Sequence, residues 1–229
     1  MTNMPQVSPG SAPRRRGGDT AERILDVAEA CFAQRGYAGT SLRDVAEGVG
    51  IRIPSLYNHF PNKASLYSAV LARGMTPILE LLTRFVEEGE KAHADVPRVT
   101  TELMTLLGRR PNLPRLIQYE LLSGGEQLTQ LLDDWLRPTL LRGLAMLQNT
   151  PAAAYWKPDQ LPILMLTFLN IVVSHFTTAP LYEHIVGEDL LAEPALARQI
   201  EFFTQIFAAL TGAQALDEVP SPEVTHLEP

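Results

Sequence analysis

The sequence predicts an all-α fold, on three observations. Apolar residues recur at spacings of three and four along most of the chain, and no run alternates apolar and polar residues between hairpin turns. Proline and glycine also fall at intervals that cut the chain into helix-length pieces. The 229 residues, 45% of them hydrophobic, suffice for a buried core in one large or two small domains without disulfide or metal staples.

The first helix is expected over about residues 19–35. Asp19 and Glu22 make a capping pair, Ile24, Leu25, Val27, Ala28, Cys31 and Phe32 form one broad apolar face, and Gly36 ends it. Ser41 caps a short second helix with Leu42, Val45 and Ala46 inward, and Gly48 and Gly50 bracket its end. A third helix, about 52–59, tolerates Pro54 in its first turn and is anchored by Leu56 and Phe60. Asn62 caps a fourth, which Pro77 is expected to kink or break before it resumes over about 78–90.

Further helices are expected at about 97–108, 112–123, 126–147, 159–185 and 194–211, punctuated by Pro97, Pro111, Gly124-Gly125, Pro151, Pro158 and Pro194. Residues 1–18 read as a disordered basic arm and 213–229 as a disordered tail. Between them lie 19–64, built around the short helices, and a larger helical domain over 65–212.

Charge is unevenly placed along the chain. The net charge is −7, yet the first 73 residues hold nine basic against six acidic residues, leaving ten against twenty in the rest. A basic head on an acidic body points to a nucleic-acid contact confined to one end.

Other classes find little support. Cys31 has no partner for a bridge within the chain, and no apolar run follows Arg14-Arg15-Arg16, so a cytoplasmic setting is expected. The stretch Leu161 to Leu181 is too interrupted by polar residues and prolines for a membrane span and reads as a buried helix. No phosphate-binding glycine loop, Gly-x-Ser-x-Gly elbow or His-x-x-x-His pair occurs, so neither catalytic residues, metal nor cofactor is expected.

Two short helices joined by a glycine-containing turn, packed on a longer first helix, make a helix-turn-helix, with Ala46 the small residue where the pair cross. The run from Thr20 to Ala46 with Gly36, Thr40 and Ser41, followed by Gly50-Ile-Arg-Ile-Pro-Ser-Leu-Tyr-Asn-His-Phe-Pro-Asn-Lys ending at Lys63, resembles the amino-terminal domain of TetR-type transcriptional regulators. The resemblance covers about residues 19–72; the remainder is similar only in being helical and of suitable length.

The resemblance implies a homodimer whose third helix enters the major groove of an operator, with the carboxy-terminal domain supplying the dimer interface and an effector cavity. By position it places Thr40, Ser41, Tyr57, His59 and Lys63 on phosphates, and Arg43, Arg52, Ile53, Ser55 and Asn58 where base edges are read. Amides at the starts of helices two and four, with the Ser41 hydroxyl and Lys63 ammonium, favour a phosphate on electrostatic grounds as well. Arg52 stands where the family often has a small capping hydroxyl, which exchanges a cap for either a guanine or a phosphate contact. Arg14 to Arg16 either follow DNA or are a solvated tail.

In the second domain, Thr167, Asn170, Ser174 and Thr178 form a polar stripe along one helix, read as a dimer seam rather than a pocket wall. Leu196, Ile200, Phe203, Phe207 and Leu210 make a seam on the last helix, so a four-helix dimer interface is expected. A pocket would draw on Met104, Trp135, Met165 and Phe168 for apolar walls, with Tyr119, Glu120 or His175 for orientation; each also reads as core, and His175 as a satisfied buried histidine. The function expected is a repressor released from a pseudo-palindromic operator by a small, mostly apolar effector. The alternative is a regulator of the same fold without an effector, controlled by a protein or acting as an activator.

Overall fold

The computed structural model describes residues 16–89, 96–124, 133, 137–148 and 155–211, all helix or connection with no strand among them. Residues 1–15 of the expected arm, the tail, Trp135 and residues 126–132 and 134–136 of the helix expected over 126–147 lie outside the described residues, whereas residues 16–18 of the expected arm are helical rather than disordered. Two compact units divide between Ala69 and Val70.

In the amino-terminal unit, α1 spans Arg16–Gly39 and starts three residues before the expected cap. Asp19 is therefore in its first turn, where a carboxylate complements the helix dipole, rather than at its N-cap. Gly36 interrupts the helix as expected, with φ 70°. Thr40 closes the break, its hydroxyl donating to the Cys31 and Gly36 carbonyls, each at 3.0 Å.

Helix α2, Leu42–Val49, begins with a full capping box. The Asp44 amide donates to the Ser41 hydroxyl and the Ser41 amide to the Asp44 carboxylate, both at 3.1 Å. It ends on Gly50 in the left-handed region, φ 76°, where a side chain would be strained. Arg23 of α1 donates to the freed Val49 carbonyl at 2.8 Å, tying the long helix to the end of the short one. Although Ala46 is buried, Gly48 is the closer approach: a Cβ there would lie 2.7 Å from Val27 Cγ1.

Helix α3 is Ile53–Tyr57, shorter than expected, and single-turn bonds extend it to Phe60. Leu56 is its buried anchor beside a core of Ile24, Ala28, Phe32, Val45, Leu66 and Tyr67. Helix α4, Lys63–Glu88, starts with Asn62 accepting from the Ser65 amide at 2.8 Å.

Within the carboxy-terminal unit α4 runs unbroken past Pro77. Proline cannot donate to the carbonyl four residues back, which is that of Arg73. The Arg110 guanidinium does so instead, at 3.0 Å, and continuity replaces the expected break. Among the described residues of this unit, α4 is followed by helices α5 (Val96–Gly108), α6 (Asn112–Leu122), α7 (Arg137–Leu147), α8 (Leu161–Thr177), α9 (Ala179–Val186) and α10 (Glu193–Thr211).

The single helix expected over 159–185 is two, bent by 55°. The Thr178 hydroxyl donates to the Ser174 and His175 carbonyls at the end of α8, and Pro180 starts α9. Among the described residues no single helix is long and apolar enough to cross a membrane; α8 and α9 reach that only as the bent pair. The core joins Met75, Ile78, Met104, Leu107, Leu113, Ile117, Val172, Phe176, Phe203 and Phe207.

Candidate nucleic-acid interface

The residues on the helix-turn-helix sort into exposed and inward groups. Ser41, Arg43, Arg52, Tyr57 and Asn58 are exposed; Ile53, Ser55, His59 and Lys63 are half-buried. Thr40 departs from the expectation: it is 2% exposed with its hydroxyl committed to two carbonyls. It shapes the entry to α2, and its side chain is not placed to hold a phosphate.

Arg52 occupies the N-cap of α3 in an extended conformation and makes no side-chain cap bond, so its guanidinium is exposed as the exchange of residue types implied. Tyr57 is 49% exposed at the other end of that helix, a large aromatic surface in a unit that buries Phe32 and Tyr67. Arg43 pairs with Glu47 at 3.0 Å one turn along α2, with both groups well exposed. Such a surface pair contributes little stability and exchanges readily for a phosphate.

Asp44 is held below the usual carboxylate range, first by the Ser41 amide, then by the Ser41 hydroxyl, with Arg35 and Arg43 adding to it. Arg35 reaches it at 3.2 Å. Asp44 is thus charged and internally occupied, and Arg35 with it.

A residue that the sequence reading missed is Tyr37. Its ring lies beneath the Lys63 ammonium, 4.4 Å from centroid to Nζ, and Lys63 donates to the Ala38 carbonyl at 3.4 Å. An aromatic directly after a helix-ending glycine was the only signal available.

In the carboxy-terminal unit the expected pocket residues scatter. Met104 is fully buried, Phe168 packs edge-on against Phe207 at 4.9 Å, Met165 is half-buried, Tyr119 is 40% exposed and Glu120 is buried. His175 is satisfied: Gln199 donates its amide to the Leu190 carbonyl at 2.7 Å, which leaves its oxygen to accept from His175 Nε2 at 2.6 Å. The imidazole proton therefore sits on Nε2, and the ring packs against Phe176 and Phe203.

Along α8, Thr167, Asn170 and Thr178 turn their side chains back to carbonyls of the same helix, each at 2.9 Å, and Ser174 is exposed. Phe203 and Phe207 of the expected seam lie in the core of their own chain, with Leu196 and Ile200 packed against it and Leu210 half-buried. On α8 and α10 the exposed large apolar residues are instead Ile163, Leu166 and Leu169 of α8 and Phe202 of α10; α9 also exposes Leu181, Ile185 and Val186. No group of His, Cys, Asp and Glu among the described residues could hold a metal ion.

Residues 24–70 match the profile described as bacterial regulatory proteins, tetR family. The HTH-type transcriptional repressor KstR2 of Rhodococcus jostii (strain RHA1) is 32% identical over 78 residues, 34% of this chain and 38% of that protein. The biofilm operon icaADBC HTH-type negative transcriptional regulator IcaR of Staphylococcus aureus (strain Newman) is 46% identical over 46 residues, 20% of this chain and 25% of that protein. The chain thus matches well under half the length of these relatives.

Two solved structures share the fold along most of the chain. A transcriptional regulator from Aquifex aeolicus VF5 aligns with a TM-score of 0.54 and 22% identity, over 82% of this chain and 99% of that one. The transcriptional regulator FadR from Bacillus subtilis, in complex with stearoyl-CoA, aligns at 0.57 and 19%, over 82% and 98%.

Proposed function

We propose, from the match of residues 24–70 to the tetR-family profile, that the chain is a dimeric transcriptional repressor with an amino-terminal DNA-binding domain, working in the cytoplasm. One observation carries this reading: the exposed set Arg43, Arg52, Tyr57 and Asn58, with Lys63 held beside it, lies on a helix-turn-helix whose first short helix is capped internally by Ser41 and Asp44. These exposed groups face solvent where a duplex could reach them, Arg43 by exchanging its surface pair with Glu47. Lys63, Ser41, Tyr57 and His59 hold phosphates, and Arg52 with Ile53, Ser55 and Asn58 faces base edges.

Two copies read a pseudo-palindromic operator. They join through the exposed apolar face of α8 at Ile163, Leu166 and Leu169, with Phe202 of α10, where Thr167, Asn170 and Thr178 of the polar stripe donate to carbonyls of their own helix. A small, mostly apolar effector enters the carboxy-terminal unit among residues such as Met104, Met165 and Phe168, and the acyl group named with the FadR structure is in keeping with that chemistry. The effector releases the operator when it favours the non-binding conformation by about 1 to 3 kcal/mol.

Selection of bound duplexes from a random pool by the full-length protein tests the reading. An inverted repeat is expected, and no enrichment from folded dimeric protein, with or without added acyl ligands, would overturn it. On the recovered site, Arg52→Ala relaxes preference at one base pair, costing about 1 to 3 kcal/mol there, if the guanidinium reads guanine. A uniform loss across sequences assigns Arg52 to a phosphate.

A further inference from the structure

A lysine at the first residue of a helix stands at the unfavourable end, because the aligned peptide dipoles leave partial positive charge there. Lys63 has that position in α4, one residue after the Asn62 cap. Two groups at the end of α1 offset the repulsion. The Ala38 carbonyl accepts from Nζ at 3.4 Å, and the Tyr37 ring lies under the ammonium with its centroid 4.4 Å from Nζ. The face of an aromatic ring is the negative lobe of its quadrupole and attracts a cation.

Tyr37 is itself firmly placed. Its ring centroid is 6.2 Å from that of Phe32 and 4.9 Å from that of Tyr67, and Phe32 and Tyr67 meet edge to face at 4.7 Å. Phe32 and Tyr67 are buried, whereas Tyr37 is 37% exposed. The buried pair therefore fixes a ring that is still open to a cation at the surface.

We propose that Tyr37 is a positioning residue for DNA binding: its ring holds the Lys63 ammonium beside the first amides of α4, so that both meet the same backbone phosphate. Tyr37 contacts neither phosphate nor base. Without the ring, the four-carbon stem of Lys63 and the local dipole carry the ammonium into solvent, and its charge no longer adds to that of the amides. The inference rests on the DNA-binding reading above.

The test measures affinity of the full-length protein for a mixed-sequence duplex of about 30 base pairs across roughly 50 to 200 mM salt. The variants are Lys63→Ala, Tyr37→Phe, and protein carrying 3,4,5-trifluorophenylalanine at position 37, which keeps the ring shape but removes most of its quadrupole. Tyr37→Phe is expected to bind as the unaltered protein does. Lys63→Ala flattens the slope of log affinity on log salt by about one unit. Fluorination weakens binding severalfold, flattens the slope in the same direction, and has no further effect in the Lys63→Ala background.

Fluorinated protein that binds like Tyr37→Phe, beside an impaired Lys63→Ala, overturns the proposal. So does a fluorination effect of equal size in the Lys63→Ala background, which would show the ring to act through packing. Unaltered binding by Lys63→Ala removes the phosphate contact and the proposal with it, and leaves the DNA-binding reading in place. Absence of salt-sensitive binding by the unaltered protein removes both.

Discussion

The two units use their side chains over different distances. In the amino-terminal unit, the starts of α2 and α4 are fixed by groups three residues apart, Ser41 with Asp44 and Asn62 with Ser65, and α2 ends on Gly50 in a left-handed turn, with Arg23 at the Val49 carbonyl the long-range addition. In the carboxy-terminal unit the groups that matter are far apart in sequence: Arg110 serves the carbonyl of Arg73, Trp156 donates to that of Leu210, and Gln199 links His175 to Leu190. A unit built from local rules presents a fixed surface, as reading a duplex requires. One built from long-range packing can shift its helices as a body, as response to a ligand requires.

The sharpest way to break the comparison uses neighbours on α10. Phe203 is 3% exposed in the core and Phe202 is 58% exposed. Phe203→Ala is expected to cost about 3 to 5 kcal/mol in denaturant unfolding. Phe202→Ala leaves the unfolding of the single chain nearly unchanged and weakens self-association in sedimentation. Equal stability losses at both positions would place Phe202 in the core and remove α10 from the dimer face.

Next in size is the bridge at Pro77. Arg110→Ala withdraws a charged donor from the Arg73 carbonyl and is expected to destabilise by about 1.5 to 3 kcal/mol. Pro77→Ala supplies a backbone N–H to the same carbonyl, so in that background the cost of Arg110→Ala should fall by more than half. A loss unaffected by Pro77→Ala would mean that Arg110 acts through other contacts.

The third probes the crossing of α1 and α2. Gly48→Ala sets a methyl group against Val27 Cγ1, and a β-branched side chain has little freedom to move aside. The overpacking costs about 1 to 3 kcal/mol, reduced by up to about 1 kcal/mol from the better helix propensity of alanine. Val27→Ala should restore most of the loss; thermal melts of the single and double variants decide it.

This contrast also explains what was legible in the sequence. The capping role of Ser41 and Asn62, the break at Gly36 and the turn at Gly50 came from residue types whose partners lie within a few positions. Thr40 was placed in the right turn but on the wrong duty, because whether a hydroxyl faces solvent or two carbonyls of the preceding helix depends on how the chain turns back. Tyr37 was missed for the same reason: Lys63 is 26 positions away. In the second unit the periodicity of α10 marked an apolar face suited to both a twin and the chain's own helix over 159–185, without saying that Phe203 and Phe207 would be given to the core of their own chain. The α8–α9 bend was signalled by Pro180 but masked by the apolar run on either side.

The start of α2 is also sensitive to pH through Asp44. Asp44 is held below its usual range in the fold, so its box with Ser41 stabilises α2 fully above the unfolded carboxylate pKa of about 4 and loses that contribution as pH falls through the lower folded value. Ser41→Ala removes the cap at a cost of about 1 kcal/mol near neutrality. Asp44→Asn should flatten the acid side of the stability profile while leaving the Ser41 hydroxyl to cap α2. Urea unfolding across acid pH, followed in the amino-terminal unit through amide exchange of Val45 and Ala46, separates the two. If the acid limb persists unchanged in Asp44→Asn, the short-range box is not what fixes the start of α2, and the strength of α2 has to be sought in its contacts with α1, at Gly48 and Arg23, which would make the first unit as dependent on long-range packing as the second.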